Sequence, residues 1–207
     1  MKTWDAFYDS AAVDLPSCPL AMLDSALRRA AIAFCEQSLA WRYAHPDIPV
    51  VQGTAQYAFA PPGGALVHAI TYAKFGDSEI EWRRREYLWG DWRSKTGTPE
   101  VVLGGATGLT LVPKPDVAGS LSLVVALKPS NVATGVDDDI FDQFRECIVH
   151  GALAMLMLSP KKPYTDGSLG LVHQQQFASS TCAAGARVAQ DYSRAPLQTV
   201  VSRRREA

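Results

Sequence analysis

Proline and glycine are unevenly spread along this chain, and their distribution limits its architecture more than any motif does. Residues 46–129 hold 8 of the 13 prolines and 10 of the 15 glycines. Both residues favour turns and are costly inside helices, so the middle of the chain reads as short strands joined by turns and the two ends read as helices. A helical core interrupted by a β insertion must close from sequence-distant halves. The expected class is α+β: a helical bundle of residues 1–45 and 130–195, an inserted β-rich lobe at 46–129, and an extended C-terminal arm at 196–207.

At 207 residues and 47% hydrophobic content, such a core needs no covalent staples. Charges nearly cancel, 20 basic against 21 acidic, so bulk electrostatics nominates neither nucleic acid nor membrane as a partner. Cys18, Cys35, Cys147 and Cys182 form no CxxC pair, and three of them fall within predicted helices, where a reduced thiol acts as a small apolar group. Residues 1–10 lack the apolar run of a secretory signal, and the longest apolar run, 151–158, is too short to span a bilayer. A soluble intracellular product is expected.

The first helix is expected to open with Pro19 at its first position and to run to Arg42, about 36 Å at 1.5 Å per residue. Leu23, Leu27, Ala30, Ala31, Phe34 and Trp41 recur on one face, and Pro46 and Pro49 are read as its stop. Strands are expected at 54–60, 66–75, 79–84, 109–112 and 121–127. A second helix follows the acids Asp137, Asp138 and Asp139, with Ile140, Phe144, Ile148, Gly151, Ala152 and Met155 on one face. Prolines 160 and 163 end it, and the short link makes a third helix, 168–192, its antiparallel neighbour. That third helix is crowded with small residues, among them Ala178, Ser179, Ala183, Ala184 and Gly185, which suits a tightly packed or an intersubunit helix.

No catalytic constellation stands out. Adjacent aspartates on a helix point in different directions, so 137–139 reads as a cap complementing the helix dipole rather than a cation site. His45, His68, His150 and His173 lack HxH or HxxxH spacing and fall on different elements, which argues against a metal centre. The segment Gly104-Gly105-Ala106-Thr107-Gly108 has no P-loop lysine and reads as a turn. No nucleophile elbow surrounds any serine or cysteine. Trp82, Trp89 and Trp92, with Tyr87 and Phe75, suit an aromatic platform for sugar or single-stranded nucleic acid, although large aromatics more often fill a small β lobe. Arg83, Arg84 and Arg85 cannot all face one way on a strand; they suit a solvated edge or a contact with a neighbour or tail protein. In the arm, Leu197, Val200 and Val201 precede Arg203, Arg204 and Arg205, a composition fit for ordering on a neighbouring subunit.

Asp14-Leu15-Pro16-Ser17-Cys18-Pro19, continuing through Ala26-Leu27-Arg28-Arg29-Ala30-Ala31 to Phe34-Cys35 and Trp41-Arg42, resembles the opening of tailed-phage head-to-tail connector (neck) adaptor proteins. The likeness continues at Gly53, Tyr57 and Trp92, at Gly97-Thr98-Pro99, and at Leu111-Val112-Pro113-Lys114-Pro115-Asp116. Beyond these lie Lys128-Pro129-Ser130, Gly151-Ala152-Leu153, Pro160-Lys161-Lys162-Pro163-Tyr164-Thr165-Asp166 and Phe177; Tyr164 stands where the family commonly has tryptophan. The resemblance implies a ring of about twelve copies beneath the portal protein at the capsid vertex, closed by rotational symmetry. Such a ring extends the channel through which DNA passes without sequence-specific binding, and offers a docking surface to tail or nozzle proteins. It implies a virion neck component made in the host cytoplasm, with no enzymatic activity, cofactor, metal or membrane. Within that picture, the arm's Leu197, Val200, Val201, Arg203, Arg204 and Arg205 are expected to bind the portal, and Arg83 to Arg85 a neighbour or the tail. The rival reading is a small carbohydrate- or nucleic-acid-binding module built on the tryptophan-rich lobe. A hydrolase is disfavoured, because no acid, base and nucleophile converge at any readable spacing.

Overall fold

The computed structural model describes residues 1–82, 94–105 and 107–190. In chain order, its elements are β1 (Lys2–Thr3), a 3-10 turn (Trp4–Phe7), α1 (Tyr8–Ala11), α2 (Leu20–Ser38), β2 (Arg42–Val50), β3 (Gln56–Ala58), β4 (Ala65–Phe75), β5 (Ser78–Glu79), β6 (Glu81–Trp82), β7 (Thr96–Gly97), β8 (Val101–Gly104), β9 (Gly108–Val112), β10 (Lys114–Pro115), β11 (Gly119–Pro129), β12 (Gly135–Val136), α3 (Asp138–Met157) and α4 (Gly167–Ala189). The protein is a mixed α+β structure in which α2, α3 and α4 pack on one another and α2 also lies against β11.

The first helix is shorter than its pattern suggests. Pro19 is the cap rather than the first helical residue, and the helix ends at Ser38, whose hydroxyl donates back to the Phe34 carbonyl (2.8 Å) and accepts from the Ala40 N–H (3.2 Å). Leu39 then turns left-handed, at φ 54°. Trp41 is buried as the spacing predicts, but from outside the helix, and Arg42 already starts a strand. Pro46 and Pro49 therefore stop no helix. They lie inside β2, an edge strand of the sheet β2-β11-β4-β5, where a missing donor need not interrupt the ladder.

Irregularities shape that sheet. Pro46 and Asp47 together oppose Ser122, whose hydroxyl donates to Asp47 (2.7 Å), while Thr71 and His68 are extra residues of β4 against β11. Thr71 Oγ1 bonds the Val124 carbonyl beside its bulge (3.0 Å). Such bulges raise local twist and bend the strand. The chain returns to the second sheet, β3-β9-β8-β6, at buried Ile80, which separates β5 on one sheet edge from β6 on the other and donates its N–H to the Ala73 carbonyl (3.0 Å). One continuous apolar cluster joins helices and sheets, from Leu27, Phe34 and Ile148 to Leu121, Val125 and Val102.

The N-terminal residues belong to this core. β1 pairs with β12, Trp4 Nε1 donates to the Ala133 carbonyl (2.9 Å), and Arg28 Nε donates to the same carbonyl (2.9 Å). The link between β11 and α3 is thereby fixed from both sides. In the hairpin α3–α4, Asp166 caps α4 by accepting from the Leu169 N–H (2.9 Å). A Cβ on Gly151 would come within 2.9 Å of Ala30 on α2 and 2.8 Å of Phe177 on α4, so only glycine lets all three helices meet there.

Candidate functional site

The three consecutive aspartates take different tasks, as adjacent helical positions must. Asp137 is the N-cap of α3 and accepts from the Asp139 N–H (3.1 Å), Asp138 pairs with the Met1 ammonium (3.1 Å), and Asp139 is exposed. Carboxylates at this end complement the positive pole of the helix, and their arrangement is that of a cap. Among the described residues no group of three or more His, Cys, Asp or Glu is placed to hold a metal ion.

Two histidines that look unrelated in sequence meet in space. His150 on α3 and His173 on α4 lie with their Nδ1 atoms 2.9 Å apart. Burial, then the neighbouring His173, hold the His150 imidazole below its usual value, and Glu146 and Asp14 pull the other way. Helical spacing rules within one segment cannot find such a pair. Reflection about the hairpin turn can, since 150 and 173 stand equally far from its centre between Lys161 and Lys162.

The cysteines divide by environment. Cys35 is buried and desolvation pushes its thiol up to about 12; Cys147 is buried beside Thr181 Oγ1 (3.5 Å); Cys18 is half-buried. Cys182 is exposed, contrary to the expectation of buried thiols, because it lies on the outer side of α4. All four are free. A groove of about 460 Å³ lies beside β4, between Phe59, Leu66, His68, Ile70 and Gly104. Lys128 at its rim is engaged by Glu36, and no nucleophile with an adjacent base faces into it.

α4 offers the most unusual surface. From Gly167 to Ala186 it carries no Asp, Glu, Lys or Arg, yet Leu171, Val172, Ala178, Ser179, Ala183 and Ala186 are exposed. The small residues thus split between two sides: Gly170, Ala184 and Gly185 lie on or near the core, with Gly170 against Leu158 and Gly185 against Ser38, and the majority face outward. At the hairpin turn Cys18 meets Tyr164, and Val13, Leu20, Met22 and Leu158 are further exposed apolar residues.

Of the residues singled out as contacts, Arg83, Arg84 and Arg85 lie outside the described residues, as do Tyr87, Trp89, Trp92 and the arm with Leu197, Val200, Val201, Arg203, Arg204 and Arg205. Trp82, the last described residue before the arginines, is 51% exposed at the end of the edge strand β6. Phe75, counted with it as a platform member, is buried.

No curated protein matches the chain. A family model described as SU10 adaptor protein matches residues 2–202. That match takes in the N-terminal strand, the packed helices, both sheets and much of the C-terminal segment, and on it the chain belongs to the SU10 adaptor family of phage head-to-tail adaptors.

Proposed function

We propose that this protein is the structural joint between head and tail of a tailed phage. Copies of it, about twelve, close into a ring under the portal by one repeated head-to-tail contact. The ring extends the DNA channel, through which DNA passes without sequence-specific binding, and gives tail or nozzle proteins their attachment surface during assembly and genome ejection. Its place is the virion neck, after synthesis in the host cytoplasm, and its task requires positioning rather than catalysis. Residues 1–45 and 130–195 act as a helical bundle core, 46–129 as the lobe turned to the tail, and 196–207 as the arm.

The family match over residues 2–202 carries this reading. The uncharged outward face of α4 supports the ring: an exposed helix that avoids charge over 20 consecutive residues suits contact with another copy better than permanent hydration. The arm grips the portal with Leu197, Val200 and Val201 in apolar pockets and Arg203, Arg204 and Arg205 on acidic groups, while Arg83, Arg84 and Arg85 meet a neighbour or the tail. Each arm alone binds weakly, and a ring of arms gains by multivalency. Deleting 196–207 should leave the thermal transition unchanged and abolish decoration of purified portal rings seen by electron microscopy. Full occupancy by the truncated protein would show that the packed helices make the joint.

A further inference from the structure

His150 and His173 sit where α4 lies on α3, with ring centroids 5.0 Å apart. His173 is 7% exposed, and its second nitrogen, Nε2, is buried with no hydrogen-bond partner among the described residues. Counting protons over the four ring nitrogens sets what the pair tolerates. One proton must lie between the two Nδ1 atoms for the bond to exist. In the neutral pair the other resides on Nε2 of the half-buried His150, leaving His173 Nε2 as a bare lone pair. A third proton has only His173 Nε2 to occupy while the bond stands, and there a buried N–H would face no acceptor. A fourth sets two N–H groups against each other and breaks the bond.

We propose that His150 and His173 form an acid-released clasp, which holds α4 on α3 when both rings are neutral and lets α4 lift away in mildly acidic solution. The charged groups facing the pair are Glu146, one turn earlier on α3, and Asp14 in the segment between α1 and α2. On α2, Asp24 is engaged by Tyr8, Arg28 by the carbonyls of Asn131 and Ala133, and Glu36 by Lys128. On α4 the nearest cation in sequence, Arg187, is almost four turns away. The two acids favour protonation; burial and the neighbouring ring outweigh them. The sign follows. A histidine held below its unfolded value of about 6.5 contributes stability that is present above that pH and lost as pH falls through and below it.

Cys147, three residues before His150, reports the opening because α4 covers it: its thiol lies 3.5 Å from Thr181 Oγ1 and 3.8 Å from the Phe177 carbonyl. The full chain is labelled with a dithiodipyridine, which reacts with thiols in acid, and each cysteine is read by mass spectrometry against exposed Cys182. Between about pH 7.5 and pH 5 the Cys147 to Cys182 ratio should rise about tenfold or more, the equivalent of one pKa unit. The double substitution His150→Asn with His173→Asn, whose amides retain a hydrogen bond without titrating, should keep the ratio flat. A flat wild-type ratio, or an equal rise in the variant, overturns the clasp. Should the variant fail to fold, ring ¹⁵N shifts of the wild type decide: the His150 ring must take up its proton at a lower pH than a free imidazole does, and titration at the ordinary histidine value overturns the clasp.

Discussion

At the scale of single residues, Gly151 is the tightest of the helical glycines. Its missing side chain is what allows Ala30 and Phe177 to approach from two other helices. Gly151→Ala should cost about 1 to 3 kcal/mol in urea unfolding, because a close-packed interior has nowhere to put the methyl group. Phe177→Leu in the same chain should return part of that loss, since the two positions share one space. Tyr8 gives a second residue-level test. Its hydroxyl donates to Asp24 at 2.6 Å, and this bond, followed by burial and the Asp24 charge, pushes the phenol up to about 12. A proton held more tightly in the folded state stabilises below the unfolded value near 10 and ceases to do so as pH rises towards 12. Wild type should therefore lose thermal stability between about pH 10 and 12 more steeply than Tyr8→Phe, followed by far-ultraviolet circular dichroism.

At the scale of elements, the helix faces were legible because burial enforces a period. Phe34 and Phe144, placed on inner faces by spacing alone, are buried with ring centroids 4.9 Å apart. Phe34→Ala or Phe144→Ala should each cost about 3 to 5 kcal/mol, and unchanged melting of both variants would contradict the packing. The N-cap was legible for the same kind of local reason. Asp137→Ala should cost about 1 kcal/mol, and Asp137→Asn much less, since the amide oxygen can still accept from Asp139. Edges and ends were not legible. Trp41 continues the helical period only by coincidence, after a left-handed residue that no propensity marks, and Pro46 and Pro49 look like breakers until the strand that holds them is known to be an edge. The meeting of His150 and His173 depends on how two helices are aligned, a long-range fact that spacing within either helix does not contain. The resemblance to head-to-tail adaptors, by contrast, rested on the order of short motifs along nearly the whole chain, and the family match has the same extent.

At the scale of the whole molecule, a chain whose α4 exposes a stretch without charge over residues 167–186 should, in the proposed role, assemble where a circular template already exists. Native mass spectrometry of the free protein should then show monomer, and addition of portal should produce discrete rings of fixed copy number. Stable rings formed at low concentration without portal would remove the template from the account. Raising salt should weaken the arginine-rich part of attachment and leave the apolar part in place.

The meeting of α2 with Gly151 and Phe177 also sets a timetable for synthesis. Ala30 leaves the ribosome about 120 residues before Gly151 does, which at 5 to 20 residues per second is roughly 6 to 24 s. Throughout that interval the stripe of Leu23, Leu27, Ala30 and Phe34 has no helical partner, and the intervening sheets appear before the helices that cover the first one. Each nascent copy is thus sticky for far longer than a helix takes to form. Shelter for that stripe in the meantime is therefore a condition that closure from distant halves sets on correct folding.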